Sequence, residues 1–141
     1  MSVNQGEHTF EVDILKHGRK LRGFTAGEDL DAGQPVAITG DRTVTAASDG
    51  GPVIGVAGYS VSAGQEIVIL GDDCEVRLPN VPGPAPAGAE VTPTGNTVAS
   101  GNDLVRPAGS SDNGFAITVT SGSGDATPTV VYIKAASGTT V

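Results

Sequence analysis

The chain is poor in exactly the residue types that mark several protein classes. Its 141 residues include one cysteine, no tryptophan, two tyrosines and three phenylalanines. With Cys74 alone, no intrachain disulfide can form, which excludes a secreted disulfide scaffold. The scarcity of aromatic rings argues against a sugar-binding platform. No apolar run approaches the roughly 20 residues needed to span a bilayer as a helix. Residues Met1–Phe10 lack the basic-then-apolar pattern of a signal peptide. The expected product is soluble, without a membrane partner, and made in the cytoplasm. Phosphate-loop, dinucleotide and Gly-x-Ser-x-Gly signatures are also missing.

The chemistry-bearing residues that do occur are scattered. His8 and His17 are the only histidines. They stand apart from any Cys or paired acid at ligand spacing, whereas a metal site needs convergent ligands. Cys74 has no histidine near it in sequence to act as a base and reads as a small buried apolar residue. Asp72-Asp73-Cys74-Glu75 is the densest acidic run. It lacks the alternate oxygens and central glycine of a calcium loop and reads as a solvated turn. Asp29 and Asp31 read the same way. No catalytic residue, metal or cofactor is therefore expected, and the chain is read as a non-enzyme.

What the sequence has in abundance is β-forming and turn-forming residues. Seventeen valines and fourteen threonines face six leucines. Val and Thr suit a pleated sheet, and 21 glycines and 9 prolines supply turns throughout. Short apolar runs follow turn signals at Val36–Ile38, Thr43–Thr45, Val53–Ala57, Ile67–Leu70 and Glu75–Leu78. Spacings near ten residues suggest an all-β fold, a compact small barrel or sandwich of short antiparallel strands. Pro79–Gly88 is too proline-rich for a central strand and reads as a crossover or surface loop. It divides the body, residues 25–141, into sub-lobes 25–78 and 89–141. Phe115–Thr120 and Thr129–Lys134 read as an antiparallel hairpin.

The two sub-lobes share a pattern. Ala32-Gly33-Gln34-Pro35-Val36 precedes Thr39-Gly40-Asp41-Arg42-Thr43-Val44, and Ala87-Gly88-Ala89-Glu90-Val91 precedes Thr94-Gly95-Asn96-Thr97-Val98. Ala63-Gly64-Gln65-Glu66-Ile67 repeats the first element alone. Ala-Gly makes a turn that feeds a strand. Gly-Asp or Gly-Asn then closes a hairpin by tolerating positive φ.

Charge is uneven. The chain carries −8 overall. Residues 1–24 hold Lys16, Arg19, Lys20 and Arg22 against three acids, while the body holds four bases against thirteen acids. So acidic a body repels phosphate, and nucleic acid is not an expected partner. Residues 1–24 read as an extended N-terminal arm. Phe10, Val12 and Ile14 form one face of a strand that must pair with a sheet edge, its own, a second copy's or another protein's; the charge asymmetry favours an external partner, which makes these three expected protein-contact residues. The cations Lys16, Arg19, Lys20 and Arg22 are the expected contacts to an acidic protein surface.

The stretch Leu30–Leu78 resembles the small β-rich capsid decoration or stabilisation proteins of tailed phages and tailed archaeal viruses. The residues that carry the resemblance are Leu30-Asp31-Ala32-Gly33-Gln34-Pro35-Val36, Thr43-Val44-Thr45, Val53-Ile54-Gly55-Val56-Ala57, Ala63-Gly64-Gln65-Glu66-Ile67-Val68 and Arg77-Leu78-Pro79. The resemblance implies a homotrimer on the outer surface of the virion, with the major capsid protein as partner. It transfers no catalytic residue. Only three lysines beside sixteen acids would fit a virus with a salt-loving host. The rival expectation is a head-fibre or receptor- or glycan-binding module exposed on the virion.

Overall fold

The structure, a computed structural model, describes residues 11–81, 88–98, 104–119 and 127–134. It is all-β, with no helix of membrane-spanning length among the described residues. Eleven strands form two units. The first is a closed five-stranded barrel of β2 (Lys20–Ala26), β4 (Thr43–Ala46), β3 (Pro35–Gly40), β5 (Gly55–Ala57) and β6 (Glu66–Leu70), in that order around the wall. The second is a six-stranded antiparallel sheet ordered β1 (Asp13–Lys16), β7 (Glu75–Val81), β11 (Thr127–Ile133), β10 (Ala116–Thr118), β8 (Glu90–Pro93) and β9 (Val105–Pro107). The expected hairpin near the C-terminus is present, with Ala116 opposite Ile133 and Thr118 opposite Val131.

Closure removes every edge from the barrel. Its ring is completed by β2, which pairs antiparallel with β6 and parallel with β4. Ala26 of β2 is buried in the barrel core, and Leu21 and Phe24 pack half-buried against it. Strict alternation would send Leu21 and Phe24 to opposite faces. A register shift between them, with Gly23 at φ 83°, adds the extra residue that keeps both inside. The same bulge leaves Lys20 and Arg22 on the outer side, flanking inward Leu21.

The barrel has its own core, centred on Val36, Val44, Ile67 and Ile69. A second core lies between the units. There Val53, Val56 and Leu70 from the barrel meet Val76, Leu78 and Phe115 from the sheet, all fully buried. The two units therefore share apolar surface.

The Ala-Gly turns behave as the sequence suggests. Gly33, Gly64 and Gly88 all take left-handed φ, at 89°, 89° and 86°. The pattern that follows them diverges. In the first sub-lobe β3 and β4 form a hairpin, but its positive φ belongs to Arg42, at 50°, and neither Gly40 nor Asp41 shares it. In the second, no strand forms at Thr97–Val98, and β8 pairs with β9 instead. The likeness between sub-lobes is one of turns and not of hairpins.

Three boundaries differ from the sequence reading. The described part of the arm does not project: β1 pairs with β7 of its own chain, and β2 is a wall of the barrel, so the division at residue 24 cuts a strand. The division between units falls at Gly71–Cys74, because the sheet takes β1 from before the barrel and β7 from after it. Pro79 lies within β7, a central strand. β1 reaches no further along β7 than Arg77, and the pairing with β11 shifts register between Thr127 and Thr129, so a residue lacking an N–H is tolerated there.

Candidate protein-contact site

The residues singled out at the N-terminus have three fates. Phe10 and His8 lie outside the described residues. Val12 is buried in the core between the units, and Ile14 packs half-buried against it. These apolar side chains hold the first strand to its own sheet. Asp13 and Arg77, directly opposite in register, form an ion pair at 3.1 Å. Lys16 pairs with Asp73 at 3.3 Å and stands 5.7 Å from the centre of the Tyr132 ring. The external partner expected for this strand gives way to the chain's own β7, because Val12 and Ile14 find their apolar contacts in the chain's own core.

Beyond β1 the chain crosses tightly over the turn at residues 72–74. The Arg19 amide donates to the Asp72 carbonyl and the Gly71 amide to that of Arg19. A Cβ at Gly18 would lie 2.4 to 2.6 Å from backbone atoms of Asp72, Asp73 and Cys74, so only glycine fits. Cys74 is fully buried, and its Sγ accepts from the Gly18 amide at 3.2 Å. It is buried as expected, and it also accepts a hydrogen bond, which the sequence reading did not foresee. Asp73 sits at φ 73° in the turn, and its carboxylate accepts from Tyr132 Oη. That hydrogen bond, with Lys16 beside it, holds the Asp73 carboxyl below the usual carboxylate range and raises the Tyr132 phenol.

Arg19, Lys20 and Arg22 differ from the rest of the arm. Arg19 and Arg22 are exposed and Lys20 is half-buried. Each lacks an ion-paired carboxylate among the described residues. Next to them lies Arg42, a residue the sequence reading passed over. Its guanidinium donates from Nε to Gly23 O and from a terminal nitrogen to Arg22 O, both at 2.9 Å. These are the carbonyls of the β2 bulge. The same group lies 4.4 Å from the centre of the Phe24 ring. The only signal in the sequence was a cation in a hairpin turn, which no local rule connects to a bulge twenty residues earlier.

Two further polar groups fasten the units together. Gln34 is buried, and its amide donates to Asn96 O at 3.0 Å and accepts from Val98 N at 3.0 Å. The side chain takes the place of a peptide group on a neighbouring strand beside residues 96–98. Arg106 on β9 donates from Nε to Asp49 at 2.9 Å and from Nη1 to Asp112 at 2.8 Å. Asp112 also accepts from the Gly109 amide. The guanidinium and that amide hold the Asp112 carboxyl below its ordinary range.

Among the described residues, open depressions lie beside β1 and beside Asp29 and Asp31. Asp29 accepts from the Ala63 amide at 2.9 Å and so serves a turn. Among the described residues no group of three or more His, Cys, Asp or Glu converges as metal ligands would. Around β2 lie the four cations Arg19, Lys20, Arg22 and Arg42, with no ion-paired carboxylate among the described residues. No protein-family model matches the chain, and no curated protein sequence does either.

Proposed function

We propose that this chain is a non-enzymatic structural virion protein that decorates the outer surface of an icosahedral tailed-virus capsid and bridges neighbouring capsid subunits as a homotrimer. One observation carries the reading. The residues in which Leu30–Leu78 resembles decoration proteins are the residues that shape the barrel. Gly33 and Gly64 make its turns, and Val36, Val44 and Ile67 fill its core. The resemblance thus falls on one closed unit and its exit strand, and is not spread at random over the chain. Net charge supports an outward position, since a chain at −8 is repelled by packaged DNA.

The physical role is linkage. A protein that binds the assembled shell and not free capsid subunits stabilises the shell in proportion to its occupancy. The test is co-sedimentation with shells assembled from the major capsid protein of the same genome. The expected result is saturable binding to shells, none to unassembled subunits, and a higher temperature of shell disruption. Equal binding to free subunits, or no binding at all, overturns the reading. Binding to host envelopes in place of shells favours a receptor-binding module.

A further inference from the structure

The chain's eight lysines and arginines divide by location. The four associated with the six-stranded sheet all meet carboxylates: Lys16 meets Asp73, Arg77 meets Asp13, Arg106 meets Asp49 and Asp112, and Lys134 meets Glu90. The four at the barrel are Arg19, Lys20 and Arg22, leading into and along β2, and Arg42, which clasps the bulge. They have no carboxylate partner among the described residues. Acids outnumber bases sixteen to eight, so there is no shortage of partners. The fold nevertheless keeps its unneutralised cations together and neutralises every other one.

The geometry of β2 makes a strip of them. Lys20 and Arg22 share the outer face, about 7 Å apart along the strand. The bulge turns the chain inward just after Arg22, and Arg42 lies over the bulge carbonyls. One edge of β2 is paired with β6 from Lys20 onward, β4 joins the other edge only at Thr25 and Ala26, and between them the Arg42 guanidinium occupies the Arg22 and Gly23 carbonyls. A partner at the strip therefore meets charged side chains first.

We infer that the strip of Lys20, Arg22 and Arg42, with the exposed Arg19 leading into it, is the docking face for an acidic protein surface of the shell; the inference rests on the capsid reading above and supplies the chemistry of its contact. The Arg19 and Arg22 guanidinium groups favour carboxylates because they offer paired donors in a fixed fork, while Arg42, its fork held by the bulge carbonyls, adds charge. A protein is favoured over nucleic acid by the size of the strip. A duplex presents a charge about every 1.7 Å and runs on past four cations. Its flanks would overlie acidic body, beginning with Asp41 beside Arg42 and Glu66 opposite Thr25. A carboxylate cluster on a protein can match the strip and stop.

The experiment compares wild type with the triple variant Arg19→Glu, Lys20→Glu, Arg22→Glu for binding to shells of the same major capsid protein, at low and high salt. Arg42 is left intact because it supports the bulge. Wild type is expected to bind, with affinity falling as salt rises, and the triple variant to bind at least about tenfold more weakly. The charge reversal Arg77→Glu, on the sheet, is expected to bind as wild type does. Should the triple variant lose its fold by circular dichroism, the neutral double variant Arg19→Gln, Arg22→Gln replaces it, with a loss of at least about threefold expected. Equal binding by wild type and the folded variant overturns the docking face and leaves the capsid reading standing. Failure of wild type to bind shells overturns both. Retention of a short DNA duplex by wild type, lost in the variant, overturns the choice of partner.

Discussion

Barrel and sheet solve the same problem, burying β surface in a chain with few aromatics, in opposite ways. The barrel closes on itself and keeps its own core, so its outer wall is free to carry unpaired charge. The sheet has two open edges, β1 and β9, and lines its surface with ion pairs. Its buried side shares a core with the barrel. The lesson is a division of labour: the closed unit presents a surface, and the open unit is secured to it by apolar contact and by polar fasteners.

The largest way to break the comparison is through the shared core. Phe115 is fully buried there, and Phe115→Ala should cost about 3–5 kcal/mol, while Ile67→Ala in the barrel's own core should cost about 2–5 kcal/mol. The two tyrosines give one reporter per unit, Tyr59 in the barrel core and Tyr132 on β11. With single Tyr→Phe variants as controls, both should report one urea transition in wild type. Separate midpoints in wild type would mean that the units fold independently and the shared core contributes little.

Next in size is the Gln34 fastener. Gln34→Leu keeps the bulk and removes the hydrogen bonds to the Val98 amide and the Asn96 carbonyl. Each such hydrogen bond contributes about 0.5–1.5 kcal/mol. The urea midpoint should fall accordingly, and the Val98 amide should exchange with solvent far faster than in wild type.

The predicted architecture was legible because it follows from local signals. Ala-Gly turns, β-branched runs and the hairpin from residue 115 announce themselves within a few residues, and the barrel-forming stretch carried the resemblance. The arm was misread for a reason of context. Val12 and Ile14 do form an apolar face on a strand, but sequence cannot say whose sheet edge it meets, and Asp13 opposite Arg77 settles that only in three dimensions. Gln34, Arg42 and Arg106 were invisible because each reaches a backbone or carboxylate group 19 to 64 residues away, at Val98, Gly23 and Asp49, that no local pattern predicts.

Acid should act on the sheet side before the barrel wall. Asp112 and Asp73 have carboxyl groups depressed in the folded protein, by Arg106 with the Gly109 amide and by Tyr132 with Lys16. A depressed carboxyl contributes stability that is complete above its unfolded value, near pH 4, and is lost as pH falls through the folded value. The urea midpoint should therefore be flat from pH 7 to about 5 and decline below about 4, and Asp112→Asn should lower the plateau and flatten the decline. An unchanged decline in Asp112→Asn with Asp73→Asn would place the acid sensitivity elsewhere.

The smallest effect separates the two classes of cation themselves. An exposed ion pair contributes about 0–1 kcal/mol, and a surface substitution that touches no partner stays within about 0.5 kcal/mol. Arg77→Gln removes a pair whose members are 43% and 64% exposed, so it belongs at the modest end of the first range. Arg19→Gln and Arg22→Gln remove side chains with no carboxylate partner among the described residues, so they belong in the second. Neutralising any of the three also raises the net negative charge by one, a cost common to all that cancels in the comparison. The difference between classes is therefore the pair itself. Salt is the lever that isolates it: at about 1 M the screening length shrinks to about 3 Å and exposed pairs weaken. Urea midpoints at 50 mM salt should place Arg77→Gln below Arg19→Gln and Arg22→Gln, and the gap should narrow at 1 M. If Arg19→Gln or Arg22→Gln destabilises as much as Arg77→Gln, these cations serve the fold and the strip on β2 loses its claim to be held in reserve for a partner.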